Sequence, residues 1–326
     1  MSRALITGGA GFIGSHLAET LLGQGWTVEV IDDLSTGSLT NIAHLKGNPD
    51  FSFVQGSASN QALMTELTGR CDAVFHLAAA VGVRLIVEKP VQTMETNITT
   101  TKIALELCAE KKIPLFISSS SEVYGKHTKE KFHEDDDLVL GPTSKSRWCY
   151  AASKIIDEFL AKAYFKEKGL PVVIGRIFNT IGPRQIGQYG MVVPRFIRQA
   201  LLDAPITVYG DGKQIRSFTW VKDVVNAMIL LVENTSAYGE VFNIGHTEGI
   251  SIYNLAEEIK KMAQSKSEIT FIEYEQAYEA GFEDMLYRLP DISKIQNLIN
   301  YKPSLNLSSM LTEIIAYTRQ QLGMSS

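Results

Sequence analysis

The stretch Ala4-Leu5-Ile6-Thr7-Gly8-Gly9-Ala10-Gly11-Phe12-Ile13-Gly14 decides the fold. Ala4 to Thr7 read as a short buried strand, and Ile13, Leu17 and Leu21 then recur at helical spacing until Gly23 and Gly25. Between the two, Gly8, Gly11 and Gly14 keep a G-x-x-G-x-x-G spacing. Glycines permit the tight strand-to-helix turn and let a pyrophosphate approach backbone N–H groups at the positive end of a helix. Any glycine-rich connection can imitate such a turn, so its context matters. Here Val28-Glu29-Val30-Ile31 forms the next strand pattern and ends on Asp32, 18 residues past Gly14. An acid at that place accepts hydrogen bonds from an adenosine ribose and repels a 2′-phosphate, which favours NAD over NADP. Asp33 beside it reads equally well as a second ligand or as a plain cap.

Working outward, further strand patterns are Ala73-Val74-Phe75-His76-Leu77, Pro114-Leu115-Phe116-Ile117 and Val172-Val173-Ile174. Between the last two lies a helix carrying Ile155, Ile156, Phe159, Leu160 and Ala163. Strands separated by helices imply right-handed crossovers and a parallel sheet covered on both faces, an α/β fold of Rossmann type, doubly wound. After about residue 180 the rhythm changes, with Gly-Pro pairs, a Gly210-Asp211-Gly212 turn, Val241-Phe242-Asn243-Ile244-Gly245 and a helix from about Ser251. The expected division is a dinucleotide-binding domain over 1–180, with segments near 215–250 returning to it, and a smaller C-terminal substrate-binding lobe over 181–326.

The 326 residues are 45% hydrophobic and 21% charged, ordinary for a globular chain, and the net charge of −5 argues against a nucleic-acid footprint. Cys71, Cys108 and Cys149 stand far apart, which favours a reducing compartment over a disulfide framework. The six histidines form no H-x-x-x-H pair, so no metal site is expected. Met1 to Gly8 turns to glycine too soon for a signal peptide, and no apolar run approaches the roughly 18 residues of a membrane span. A cytoplasmic location without membrane contact is expected.

Tyr150-Ala151-Ala152-Ser153-Lys154 places Tyr150 and Lys154 four apart, on one face of a helix. A lone Y-x-x-x-K is common on surfaces. The glycine turn upstream and Ser118-Ser119-Ser120-Ser121-Glu122-Val123-Tyr124-Gly125, directly after a strand, raise it to a catalytic candidate, because such folds do their chemistry at the carboxyl ends of strands. Lys154 and a nicotinamide cation would lower the pKa of Tyr150, making its phenolate a base near neutral pH. Ser120 would share the hydrogen bond to the same substrate oxygen.

Together with Arg176-Ile177-Phe178-Asn179, these motifs resemble the extended short-chain dehydrogenase/reductase family of nucleotide-sugar epimerases, dehydratases and decarboxylases, over nearly the whole chain. The resemblance implies an enzyme with tightly held NAD that oxidises a sugar at carbon-4 to a transient ketone, most simply on a UDP-sugar. It implies a cofactor site of Gly8, Gly11, Phe12, Ile13, Gly14, Asp32, Asp33, Ser57, Leu77, Ala78, Ala79 and Asn97, with Tyr150 and Lys154. It places Asn179 at the substrate phosphates, Arg216 and Arg288 as a clamp on the diphosphate, and Arg84 at the substrate. It also implies a homodimer in which the helix after Tyr150 and the one near Thr100 to Glu110 pair with their copies. Two departures stand out. The family usually has an acid after the glycine that ends the third strand, where this chain has Gly56-Ser57, a residue that still accepts a hydrogen bond. Thymidine-nucleotide 4,6-dehydratases carry Asp-Glu where this chain has Ser121-Glu122.

Glu122 discriminates between reactions. Simple 4-epimerases carry no acid there, whereas a carboxylate beside the ring serves chemistry at carbon-5. Ser121-Glu122 and Arg176-Ile177-Phe178-Asn179-Thr180-Ile181-Gly182-Pro183-Arg184 resemble UDP-glucuronate decarboxylases; GDP-mannose dehydratases share the Ser-Glu pair but are less similar over the second segment. The loop Ala80-Val81-Gly82-Val83-Arg84 is more similar to hexuronate or hexose 4-epimerases. The balance leans to the decarboxylase, with the 4-epimerase next and a 4,6-dehydratase behind it. A dinucleotide-binding protein without turnover would lack Tyr150 or Lys154, and both are present.

Overall fold

The computed structural model describes residues 2–80, 89–187, 191–273 and 285–324. Seven strands form the central sheet: β1 (Arg3–Thr7), β2 (Thr27–Asp32), β3 (Phe51–Gln55), β4 (Ala73–His76), β5 (Leu115–Ser120), β6 (Val172–Ile177) and β7 (Val241–Ile244). Their order is β7-β6-β5-β4-β1-β2-β3, and every pairing is parallel. Covering both faces explains the unbroken apolar runs in the inner strands. In β1, Ala4 and Ile6 join one core and Leu5 the other; in β4, Ala73 and Phe75 oppose Val74. Side chains alternate across the pleat, so each strand feeds two cores.

On one face pack α1 (Phe12–Gly23), through Leu17 and Leu21, and a later helix over Val221–Glu233, through Val224 and Met228. The other face is covered by α2 (Gln61–Thr68), α3 (Pro90–Lys111) and α4 (Trp148–Lys168), through Met64, Ile103, Leu107 and Ala161. A third core, around Phe196, Ile197, Leu255, Ile259 and Leu311, belongs to the smaller lobe.

The expected boundary at residue 180 is crossed in both directions. The helix Val221–Glu233 and strand β7 return to the main sheet, as do Ile292, Ile295 and Tyr301 to its core. Conversely, the short strand Lys131–Phe132 pairs with Tyr287–Pro290, and Thr180–Ile181 pairs with Thr219–Trp220. A four-stranded lobe sheet runs Gly249–Ser251, Ile215–Ser217, Tyr287–Pro290, Lys131–Phe132. No helix among the described residues is long and apolar enough to cross a membrane.

Candidate active site

The strand order reverses beside β1, whose neighbours are β2 and β4, and the carboxyl ends of a sheet open a crevice at such a point. A cavity of about 1430 Å³ begins there and runs into the lobe. Ordinary ligand clefts hold about 300–1,000 Å³, so this one has room for two nucleotide-sized molecules end to end.

At its head the glycine turn is built as the sequence requires. Gly8 has φ +72°, and a Cβ on it would lie 2.9 Å from Ala78 N. A Cβ on Gly14 would strike Gly8 O and lie 2.6 Å from Gly9 Cα, so the helix could not sit this close to the turn. Gly11 caps α1 with no side chain over the first N–H groups, leaving the helix's positive end bare. Phe12, Ile13, Leu77, Ala78 and Ala79 line the crevice beside it. Buried Asp32 accepts from Ala10 N (2.9 Å) and Leu34 N (2.8 Å), so it ties the glycine turn to β2 while lining the cavity. Burial raises the Asp32 pKa, and those backbone donors oppose the rise. Asp33 is exposed and accepts from Ser35 N (2.9 Å), the role of a cap, at the cavity edge. Ser57 lines the crevice and bonds Ser59 Oγ at 2.8 Å.

Asn97 differs from its expected place. It is fully buried behind the wall, its Oδ1 accepting from Ala80 N (2.8 Å) and its Nδ2 donating to Ser153 Oγ (3.0 Å). With both amide ends engaged, it fastens the β4 loop to α4 instead of lining the crevice. Arg84 lies outside the described residues.

In the cavity wall, α4 presents Tyr150 and Lys154, the end of β5 presents Ser120, and the turn after it presents Ser121 and Glu122. Ser120 Oγ accepts from Glu122 N (3.2 Å) and hydrogen-bonds the Tyr150 phenol. Burial raises the Tyr150 pKa. Lys154 and Ser120 oppose that rise, as expected of Lys154. Lys154 is itself buried, its Nζ 3.2 Å from Asp157 Oδ2.

Glu122 is gripped on both sides. Arg147 Nη2 donates to its Oε2 at 2.8 Å, and Arg288 Nη1 to its Oε1. Burial raises this carboxyl, but Arg288, Arg147 and Arg216 outweigh it and bring the pKa down to about 2. Arg216 and Arg288, far apart in sequence, occupy one rung of the lobe sheet. Arg288 is nevertheless turned to Glu122 and, through Nη2, to Asn179 Oδ1 (2.9 Å). Asn179 donates in turn to Ser217 O (2.9 Å). Arg216 and Arg288 thus line the cavity side by side, and Arg288 is in addition committed to Glu122 and Asn179.

Residues 5–314 match the sequence profile of the GDP-mannose 4,6-dehydratase family. The chain belongs to this family. Proteins similar to it include a UDP-N-acetyl-alpha-D-glucosaminuronate decarboxylase of Bacillus cytotoxicus, 41% identical over 98% of both chains. UDP-glucuronic acid decarboxylase 1 of Xenopus tropicalis is 35% identical over 98% of this chain and 73% of that one. Among solved structures, the UDP-glucuronic acid 4-epimerase of Bacillus cereus, in complex with UDP-glucuronic acid and NAD, superposes with a TM-score of 0.88 at 33% identity, over 98% and 99% of the two chains. Within the family frame, two residues escaped the sequence reading. Arg147 stands three before Tyr150 and seven before Lys154, a helical spacing that could have revealed it. Asp157, three beyond Lys154, carries no such signal, since its pairing with Lys154 matters only because both are buried.

Proposed function

We propose that this chain is an NAD-dependent UDP-hexuronate decarboxylase that works through a ketone at carbon-4. The observation that carries this reading is the cluster Arg147–Glu122–Arg288 on the cavity wall beside Tyr150. Two guanidiniums held at the cavity wall by one carboxylate suit a sugar that itself bears a carboxylate. The bare N-terminus of α1, the space where Gly11 lacks a side chain, and Asp32 fit a dinucleotide, and Asp32 disfavours a 2′-phosphate. NAD, when bound, supplies the reversible oxidation at carbon-4.

Tyr150 removes the proton of the carbon-4 hydroxyl, with Ser120 holding the same oxygen. The carbonyl so formed turns the carboxylate at carbon-5 into a β-keto acid. The bond from carbon-5 to the carboxyl carbon breaks, carbon dioxide leaves, and the electron pair moves onto the carbon-4 oxygen as an enolate. Protonated Tyr150 and Ser120 then face that oxygen as donors. Carbon-5 takes a proton from water, leaving hydroxide to be neutralised by solvent, and Tyr150 returns its own proton to the carbon-4 oxygen when the ketone is reduced. Glu122, whose pKa the flanking guanidiniums hold low, has the part of keeping Arg147 and Arg288 in place for the uronate.

The test is to incubate the protein and NAD with UDP-glucuronate and with UDP-N-acetylglucosaminuronate and weigh the products. Release of carbon dioxide and a pentose nucleotide is expected. Glu122→Gln should retain part of the oxidation and lose most of the carbon dioxide release, so that a keto sugar builds up in a single turnover. A product of unchanged mass, with Glu122→Gln fully active, would install a 4-epimerase, the reading favoured by the similarity to the Bacillus cereus enzyme.

We further propose a homodimer through α3 and α4, supported by apolar side chains left open on α4, and a cytoplasmic site of action, supported by three free cysteines.

A further inference from the structure

Lys154 and Asp157 form an ion pair in the wall of the cavity, 3.2 Å apart, with side chains 2% and 0% exposed. The carboxylate does not itself line the cavity. Besides Lys154, the neutral hydroxyl of Thr101 on α3 hydrogen-bonds the Asp157 carboxylate. The charged and titratable groups around the pair have other commitments. On α4, Glu158 is taken by a fork of hydrogen bonds from Arg176 of β6. After β5, Glu122 is held by Arg147 and Arg288. On β4, His76 is fully buried, its Nδ1 2.9 Å from Thr7 Oγ1 and its Nε2 3.3 Å from Thr101 Oγ1 of α3. Burial and Lys154 hold His76 neutral, with a pKa down to about 3. Asp157 is thus the counter-charge within reach of Lys154 among the described residues.

An ammonium shut away from water without a partner loses its proton: buried lysines fall by up to about 3–5 pH units, enough to be largely neutral near pH 7. A neutral Lys154 could not stabilise a Tyr150 phenolate. We propose that Asp157 is the counter-ion that keeps Lys154 charged inside the wall and, through Lys154, makes Tyr150 acidic enough to act as the base. Asp157 is in this sense a positioning residue. Its own charge opposes the phenolate, but more weakly than Lys154 favours it.

The inference rests on Tyr150 as the base of the proposed reaction, and its test reads the phenol directly, so it can fail or hold whatever sugar the enzyme takes. Ultraviolet absorbance of the phenolate would be titrated in the NAD-saturated protein, each variant against a copy also carrying Tyr150→Phe. Asp157→Asn should move the Tyr150 midpoint up by at least about one pH unit, as Lys154 discharges. In a Lys154→Met background the same substitution should give no upward shift, since there is no lysine left to discharge. An unmoved or lowered midpoint in the first case, or an equal rise in both, overturns the proposal. Should Asp157→Asn fail to fold, the double variant, free of both charges, is expected to fold and melt above it. Failure of that rescue equally overturns the pairing.

Discussion

Glu122 carries a prediction of its own, because its pKa in the folded chain is far below that of a free glutamate. The shift, from 4.5 to about 2, is downward, so the stability it contributes is fully present above about pH 4.5 and is lost as pH falls towards 2. Urea unfolding of the ligand-free protein and of Glu122→Gln at pH 7, 5, 4 and 3 should show wild type the more stable at neutral pH, with the gap closing below pH 4.5. At about 1.4 kcal/mol per unit, the full gap is on the order of 3 kcal/mol. A gap independent of pH would mean that Arg147 and Arg288 do not hold the carboxylate in solution. Tyr150, Lys154, Ser120 and Glu122 were legible in the sequence because each lies in a local motif. Arg288 as the partner of Glu122 was not: the two meet only when the lobe sheet sets Tyr287–Pro290 beside Ile215–Ser217. Asp157 was hidden because its meaning depends on burial, and nothing in its neighbours in sequence announces that both it and Lys154 are shut from water.

Helix α1 turns the same logic on backbone. Gly14 and Gly23 both belong to it, yet a Cβ on Gly14 collides with the Gly8–Gly9 backbone, while a Cβ on Gly23 meets nothing within 4 Å. Gly14→Ala should therefore push the helix off the turn, lowering the melting temperature and weakening NAD binding together. Gly23→Ala should raise stability by about 0.5–1 kcal/mol and leave NAD binding alone. Thermal melting with and without NAD checks both; a Gly14→Ala protein that binds NAD normally would refute the close-approach argument. The inner strands were readable for a related reason, since burial on both faces writes itself as an unbroken apolar run. The strand Phe51-Ser52-Phe53-Val54-Gln55, not singled out as a run, lies at the sheet edge and is only partly covered, so its pattern is interrupted. The lobe strands, two to four residues long, are made by pairings between distant segments and leave no periodicity to read.

At the scale of the whole molecule, the proposed homodimer rests on two helices. On α4, Phe159 is 71% exposed and Ile156 39%, one turn apart, and on α3 Met94 and Ile98 are partly exposed at the same kind of spacing. Apolar stripes of this sort on two adjacent helices call for a partner, and the simplest is a second copy about a two-fold axis, where each stripe meets its own counterpart. The arrangement has a consequence for catalysis, because α4 also carries Tyr150 and Lys154 on its buried side: burying Phe159 would stiffen the helix that holds them. Light scattering at micromolar concentration should give the mass of a dimer for the wild type. Phe159→Glu puts a charge at the centre of the stripe, where it would face the same charge on the partner, and should give a monomer. Phe159 does not line the cavity, so the monomer should still bind NAD, while melting at lower temperature and turning over more slowly. A wild type that scatters as a monomer, or a Phe159→Glu protein that stays a dimer, would remove α4 from the interface, and the open apolar stripe would then need a different occupant.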